Sequence, residues 1–314
     1  MKRRDFLKTA AVASVALHEL ASSTPAKDEV PKRPYRDGID LSVIGFGGIV
    51  VVGLEQNVAD RTVAESVDRG INYFDVAPTY GKGEAEEKLG MALKPYRKNA
   101  FLACKTQMRD AEGAQKELEH SLKILHTDHF DLYQFHAVRS MEDVEKILAP
   151  GGAAEAFLKA KETGKVRYVG FSAHHEEAAL ALLDRFDEIE SVLYPINYVC
   201  YAEGGFGPGV MQKAKEKGVA RLALKAMAKA RRQRGEKRPE AYPKCWYHPL
   251  TDPERIQLGL RFTLSEDVTA AIPPGDENLY KIALDMAPGL KPITTEERQQ
   301  LLASAEGINP LFKA

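Results

Sequence analysis

Asp75, Tyr80, Lys105 and His136 are an acid, a phenol, an ammonium and an imidazole, the side-chain types that general acid–base chemistry uses. Each lies at or just past the end of an apolar run. "INYFDV" leads through Asp75 to Tyr80, "FLACKT" carries Lys105, and "FDLYQFH" ends in His136. Strand ends buried in a domain rarely gather so many ionisable groups unless the groups pair or perform chemistry. A satisfied Asp–Lys ion pair beside a core tyrosine and histidine is the purely structural alternative.

The elements that must position them repeat one unit. Strand-like runs occur at "SVIGFGG", "INYFDV", "FLACKT", "FDLYQFH", "VRYVGFS", "SVLYPIN", "ARLALKA" and "VTAAIP", with amphipathic helical segments between them. Gly70, Gly164 and Gly218 each separate a charged helix end from the next strand, where glycine takes the left-handed conformation that stops a helix. Eight such units predict one α/β domain, a (β/α)8 TIM barrel, over residues 36–314. A doubly wound sheet would want a dinucleotide fingerprint. "GFGGIV" fails it, because Val50 stands where the third glycine belongs. In a barrel the four titratable residues leave three adjacent strands toward one mouth.

"FDVAPTYGKGEAEEKLG", the strand-end lysine, "YQFH" and "GKVRYVGFS" resemble the aldo-keto reductase family, in order and spacing, from about Arg36 onward. The resemblance implies a nicotinamide-dependent oxidoreductase that interconverts a carbonyl compound, such as a sugar or small aldehyde, and its alcohol. It implies Tyr80 as proton donor, Lys105 as its activator, Asp75 as the partner of Lys105 and His136 as the orienter of the carbonyl. A phenol with a pKa of about 10 donates more readily near neutrality if lowered by 2 to 3 units, roughly 3 to 4 kcal/mol. One ammonium about 4 Å away supplies roughly 4 kcal/mol at an effective dielectric of 20.

The same resemblance implies cofactor contacts at Ser172, for the nicotinamide amide, and at Asn197, at the end of the sixth strand. It departs from the family at Ala173, Leu193 and Lys225, the last where the nicotinamide ring stacks. After the eighth strand, Gly275 and Asp276 open a helix whose N-terminus suits an anion. Asp276 and Glu277 would repel a 2′-phosphate or simply cap the helix, and either reading favours NAD over NADP. Arg231, Arg232, Arg234, Lys237 and Arg238 lie in the loop that folds over the diphosphate in the family, or form a solvated charged face. Trp246, with Cys245, Tyr247 and His248, would wall a substrate pocket or anchor that loop. "HTDHFD" and His174-His175 lack metal-ligand spacing, so no metal is expected.

Residues 3–8, "RRDFLK", precede the apolar "TAAVASVAL" and the small residues "ASSTPA". This resembles a twin-arginine export signal over about residues 1–26, whose substrates cross the membrane already folded. The expectation is an exported, periplasmic or extracytoplasmic enzyme that meets the twin-arginine machinery and loads its nicotinamide beforehand. Net charge of −1 invites no nucleic acid, and no second apolar stretch suggests membrane insertion of the mature chain. The three cysteines form no CxxC pair, though one bridge, such as Cys200 with Cys245, stays open. Two other classes remain: a non-redox proton-transfer enzyme (lyase or epimerase), or a ligand-binding or sensing module on a degraded reductase scaffold.

Overall fold

The computed structural model describes residues 29–238 and 240–314. The export signal expected at residues 1–26 lies outside them. The chain enters through an antiparallel hairpin, β1 (Lys32–Arg36) and β2 (Ile39–Ser42). There follow β3 (Phe46–Gly47), β4 (Tyr73–Asp75), β5 (Phe101–Thr106), β6 (Phe130–Val138), β7 (Val166–Ala173), β8 (Ser191–Pro195) and β9 (Ala220–Leu224). A short antiparallel pair, β10 (Ala228–Ala230) and β11 (His248–Pro249), brackets the long basic loop before β12 (Ala270–Ile272) completes the set.

Strands β3 to β9 and β12 form one parallel sheet in the order β12-β9-β8-β7-β6-β5-β4-β3. A parallel bridge from Ile44 to Ala271 joins its two edges, with Gly45 N–H donating to Ala271 O at 3.0 Å. The expected (β/α)8 barrel is therefore the fold, and all eight strand runs fall in place. Gly70, Gly164 and Gly218 have φ of 88°, 73° and 67°, each one residue past a helix C-cap, as the helix-to-strand joints require.

Two layers of core follow from the period-two alternation of strand side chains. One set faces outward beneath the helices; Val63, Leu118 and Phe157 come to it from helices Gln56–Asp68, Ala111–Ile124 and Ala153–Glu162. The other fills the barrel: Tyr73, Ala103, Leu132, Leu193, Leu222 and Ala270. Tyr35 and Leu41 of the hairpin join that inner cluster and close the barrel's lower end. The alternation then dictates what comes next. Two residues beyond Tyr73, Ala103 and Leu132 stand Asp75, Lys105 and Gln134, on the same inward face and one layer nearer the C-terminal mouth. Among the described residues no helix is long and apolar enough to cross a membrane. The three cysteines are buried and free, so Cys200 and Cys245 do not pair.

Candidate active site

Lys105 Nζ forms an ion pair with Asp75 Oδ1, and both side chains are almost wholly buried. The same ammonium donates to the Tyr80 hydroxyl at 3.2 Å and to Val76 O at 3.4 Å. Register brings these groups together, since β4 pairs Asp75 with Ala103 and β5 pairs Lys105 with Gln134. Tyr80 opens a short 3-10 turn directly after β4, so its phenol folds back over the strand ends. His136 lies two residues beyond Gln134, and its ring meets Tyr80 edge-on with centroids 5.7 Å apart. The four residues expected to do chemistry are thus one cluster at the C-terminal mouth.

The second oxygen of Asp75 is held by residues the sequence reading passed over. Gln134 Nε2 donates to Asp75 Oδ2 at 3.3 Å and the Tyr73 hydroxyl donates to it at 3.4 Å. Their signal was the inward parity of the strands: Tyr73 precedes Asp75 by two, and Gln134 precedes His136 by two.

Burial changes one expectation about the phenol. Tyr80 sits above its ordinary value, because desolvation outweighs the field of Lys105, while Asp75 returns part of that field with the opposite sign. The rise of Lys105 itself comes from Asp75 and Tyr80, which together overcome the desolvation of its ammonium. Asp75 is raised by burial, with Lys105, Gln134 and Tyr73 acting against the rise. His136 is driven far down by burial and next by the charge of Lys105, so its imidazole is neutral. The resting site therefore holds a protonated phenol against an ammonium, with a neutral imidazole beside it. The expected lowering of Tyr80 is not found.

A cavity of about 90 Å³ opens at this cluster. It lies between strand-end residues Leu193, Leu224 and Ile272 and the loop aromatics Trp246 and Tyr247, with Asp75, Tyr80, Lys225 and Gly275 on its wall. Lys225 follows β9 with φ of 70°, and its ammonium stands 5.2 Å from the Trp246 ring centroid and 4.7 Å from that of Tyr247. Burial pushes it down to about 8. The loop is clasped shut: Lys244 Nζ donates to Val50 O at 2.8 Å and pairs with Glu277 at 2.9 Å. A Cβ on Gly275 would collide with Ile49, so the chain can pass there only as glycine.

The other residues expected to touch a cofactor divide. Asp276 caps helix Glu277–Met286, accepting from Asn278 N at 3.2 Å, so its capping reading holds in the geometry. Ser172 is buried and its Oγ accepts from Ala137 N at 2.8 Å. Asn197 is fully buried and caps helix Tyr198–Gly204 through Cys200 N at 2.9 Å. Neither lines the cavity. Of the five basic loop residues, Arg232 pairs with Glu236 at 3.2 Å and Arg238 donates to Pro243 O at 3.1 Å, two ties within the loop itself. Among the described residues no cluster of His, Cys, Asp and Glu is arranged to hold a metal. A larger cavity of about 720 Å³, lined by Tyr198, His248, Arg255 and Ser304, lies behind β10 and β11 and carries none of the four clustered residues.

A parallel barrel with a phenol, lysine and aspartate gathered at its C-terminal mouth defines a (β/α)8 enzyme. More narrowly, the chain belongs to the aldo/keto reductase family of oxidoreductases, whose family profile matches residues 43–270. Aldo-keto reductase YhdN of Bacillus subtilis is 35% identical over 152 residues, 43% of this chain and 44% of that protein. L-galactose dehydrogenase of Arabidopsis thaliana is 29% identical over 163 residues, 47% and 50% of the two chains. The chain thus spans about half the length of the curated relatives it matches. Among solved structures, an aldo-keto reductase of Bacillus halodurans in its holo form superposes with a TM-score of 0.69 at 25% identity, over 90% of this chain and 99% of that one. An aldo-keto reductase of Klebsiella pneumoniae in complex with NADPH has the same fold, with a TM-score of 0.68 at 20% identity over 92% and 98%.

Proposed function

We propose that the chain reduces a small-molecule carbonyl compound with a nicotinamide cofactor, Tyr80 giving the proton. The observation that carries this reading is the Tyr80–Lys105–Asp75 array beside a cavity at the barrel mouth. The cavity suits the ring end of a nicotinamide, with aliphatic strand-end side chains on one side, aromatics on the other and the Tyr80 phenol on its wall. Cofactor pockets run to several hundred Å³. The dinucleotide would therefore need the clasp of Lys244 on Glu277 and Val50 to open, with the remainder of the cofactor lying along Gly275 and the basic loop. Asp276 and Glu277 favour NAD there.

When bound, the cofactor supplies a hydride to the carbonyl carbon. Tyr80 supplies the proton to the oxygen, and Lys105, 3.2 Å away, stabilises the phenolate left behind, worth roughly 5 kcal/mol at an effective dielectric of 20. Asp75, fixed by Gln134 and Tyr73, keeps Lys105 aimed at Tyr80. His136, held neutral, can orient the carbonyl oxygen without competing for the proton. Export through the twin-arginine route belongs to the same reading, because a protein folded before transit can carry a cytoplasmic nicotinamide with it. Oxidation of NADH or NADPH by purified protein over a panel of aldehydes tests the activity. Consumption that Tyr80→Phe abolishes, with nucleotide binding retained, is expected; turnover untouched by that change would defeat the assignment.

A further inference from the structure

A second cavity, of about 610 Å³, adjoins the mouth on the other side of Trp246. Trp246 lines both cavities, and its side chain is 41% exposed. The floor is apolar and aromatic: His174 stacks on Phe312 with centroids 4.8 Å apart, and Trp246 meets Phe312 at 6.3 Å. His174 sits beside the strand that carries His136, its backbone N–H donating to Val138 O at 3.0 Å.

The charged residues of this cavity are all cationic: Arg139, Arg231 and Lys313. Among the described residues none of the three has a carboxylate within ion-pair distance, whereas Arg109 is tied to Asp143 at 3.0 Å and Arg232 to Glu236. All three side chains are exposed, and backbone hydrogen bonds fix the main chain at two of them. Arg139 N–H donates to Asp143 Oδ2 at 2.8 Å, and Arg231 N–H to Asn309 O at 3.0 Å. Burial first, then Lys225 and last Arg139, push the His174 imidazole of the floor down to about 3. Guanidinium groups without carboxylate partners, above an apolar floor, are the chemistry of an oxyanion site.

Resting on the reductase reading, we propose that this cavity takes the oxyanionic end of the substrate, so that the enzyme acts on carbonyl compounds bearing a carboxylate or a phosphate ester. Arg139 and Arg231 hold the anion, Trp246 and Phe312 pack on the intervening carbons, and the carbonyl reaches past Trp246 to Tyr80. Neutral aldehydes of the same length lack the anchor.

Trp246 is the chain's sole tryptophan, so its fluorescence reports this cavity without any turnover. Succinate, glycerol 3-phosphate and butane-1,4-diol would be titrated into the full chain and into Arg139→Gln and Arg231→Gln. A saturable change with one or both anions and none with the diol is expected, weakened about tenfold or more in each variant and by added salt. The preferred anion identifies the carboxylate or the phosphate source. An equal response to the diol, or an unaltered response in both variants, would overturn the site. Turnover of succinic semialdehyde or glyceraldehyde 3-phosphate against butanal separates the two readings. Reduction of all with no preference for an anion refutes the site and leaves the reductase; anion binding with no reduction of any refutes the reductase and leaves the site.

Discussion

Replacing Lys105 with methionine removes two things that the structure separates. The first is structural. Asp75 keeps only the contacts from Gln134 and Tyr73, at 3.3 and 3.4 Å, both long for a buried carboxylate. Removing one partner of a buried pair costs about 3–5 kcal/mol, because the remaining charge is stranded. The second is catalytic. The phenolate of Tyr80 loses an ammonium now 3.2 Å away, worth roughly 5 kcal/mol at an effective dielectric of 20. At about 1.36 kcal/mol per decade that is nearly four orders of magnitude in rate. Asp75→Asn combined with Lys105→Met distinguishes the two, since an asparagine needs no cation. Urea unfolding should show the single Lys105→Met destabilised by about 3–5 kcal/mol and the double variant restored to within about 1–2 kcal/mol of the parent. Carbonyl reduction should stay down in both. Restored turnover in the double variant, or a single variant as stable as the parent, would refute the reasoning.

Three further outcomes follow from the charges at the mouth. Because burial holds the Tyr80 phenol above its ordinary value, reduction should persist from neutral pH to beyond 10 and fall only as the phenol ionises, while alcohol oxidation rises with pH; a pH–rate profile for each direction checks this, and reduction that declines below pH 9 would count against Tyr80. Lys225 is charged below about pH 8 and neutral above it, so it should repel the cationic oxidised nicotinamide at low pH. The ratio of NAD to NADH dissociation constants, by calorimetry, should drop about tenfold between pH 6.5 and 9.5 in the parent and stay level in Lys225→Met. Asp276→Ser keeps a helix cap and removes the negative charge, so stability should change by less than about 1 kcal/mol while NADP gains affinity relative to NAD; an unchanged ratio would show that Asp276 is a cap and nothing more.

The barrel was legible because its signals are local. Each strand is an apolar run of the right length, and the glycines that end helices are visible in the chain. The four clustered residues were legible for the same reason, since each lies at a strand end or just past one. What the sequence hid was long-range or energetic. The plugging hairpin from Lys32 to Ser42 carries few apolar residues and gains its core only by reaching Tyr168 and Phe101 across the barrel. Tyr73 and Gln134 read as ordinary strand residues until register places them on Asp75. The rise of Tyr80 depends on how far desolvation outweighs one ammonium, which spacing cannot show. Asn197 and Ser172 occupy the expected positions, but folding commits their acceptor oxygens to backbone N–H groups.

The central claim is hydride transfer at the cluster of Tyr80, Lys105, Asp75 and His136. Its most direct test is reduction of an aldehyde with NADH or NADPH fully deuterated at C4, followed by mass spectrometry of the alcohol. The account predicts one deuterium bound to the former carbonyl carbon, and formation slowed at least a hundredfold in Tyr80→Phe with nucleotide affinity unchanged. An alcohol formed without deuterium, or at the full rate in Tyr80→Phe, would contradict it.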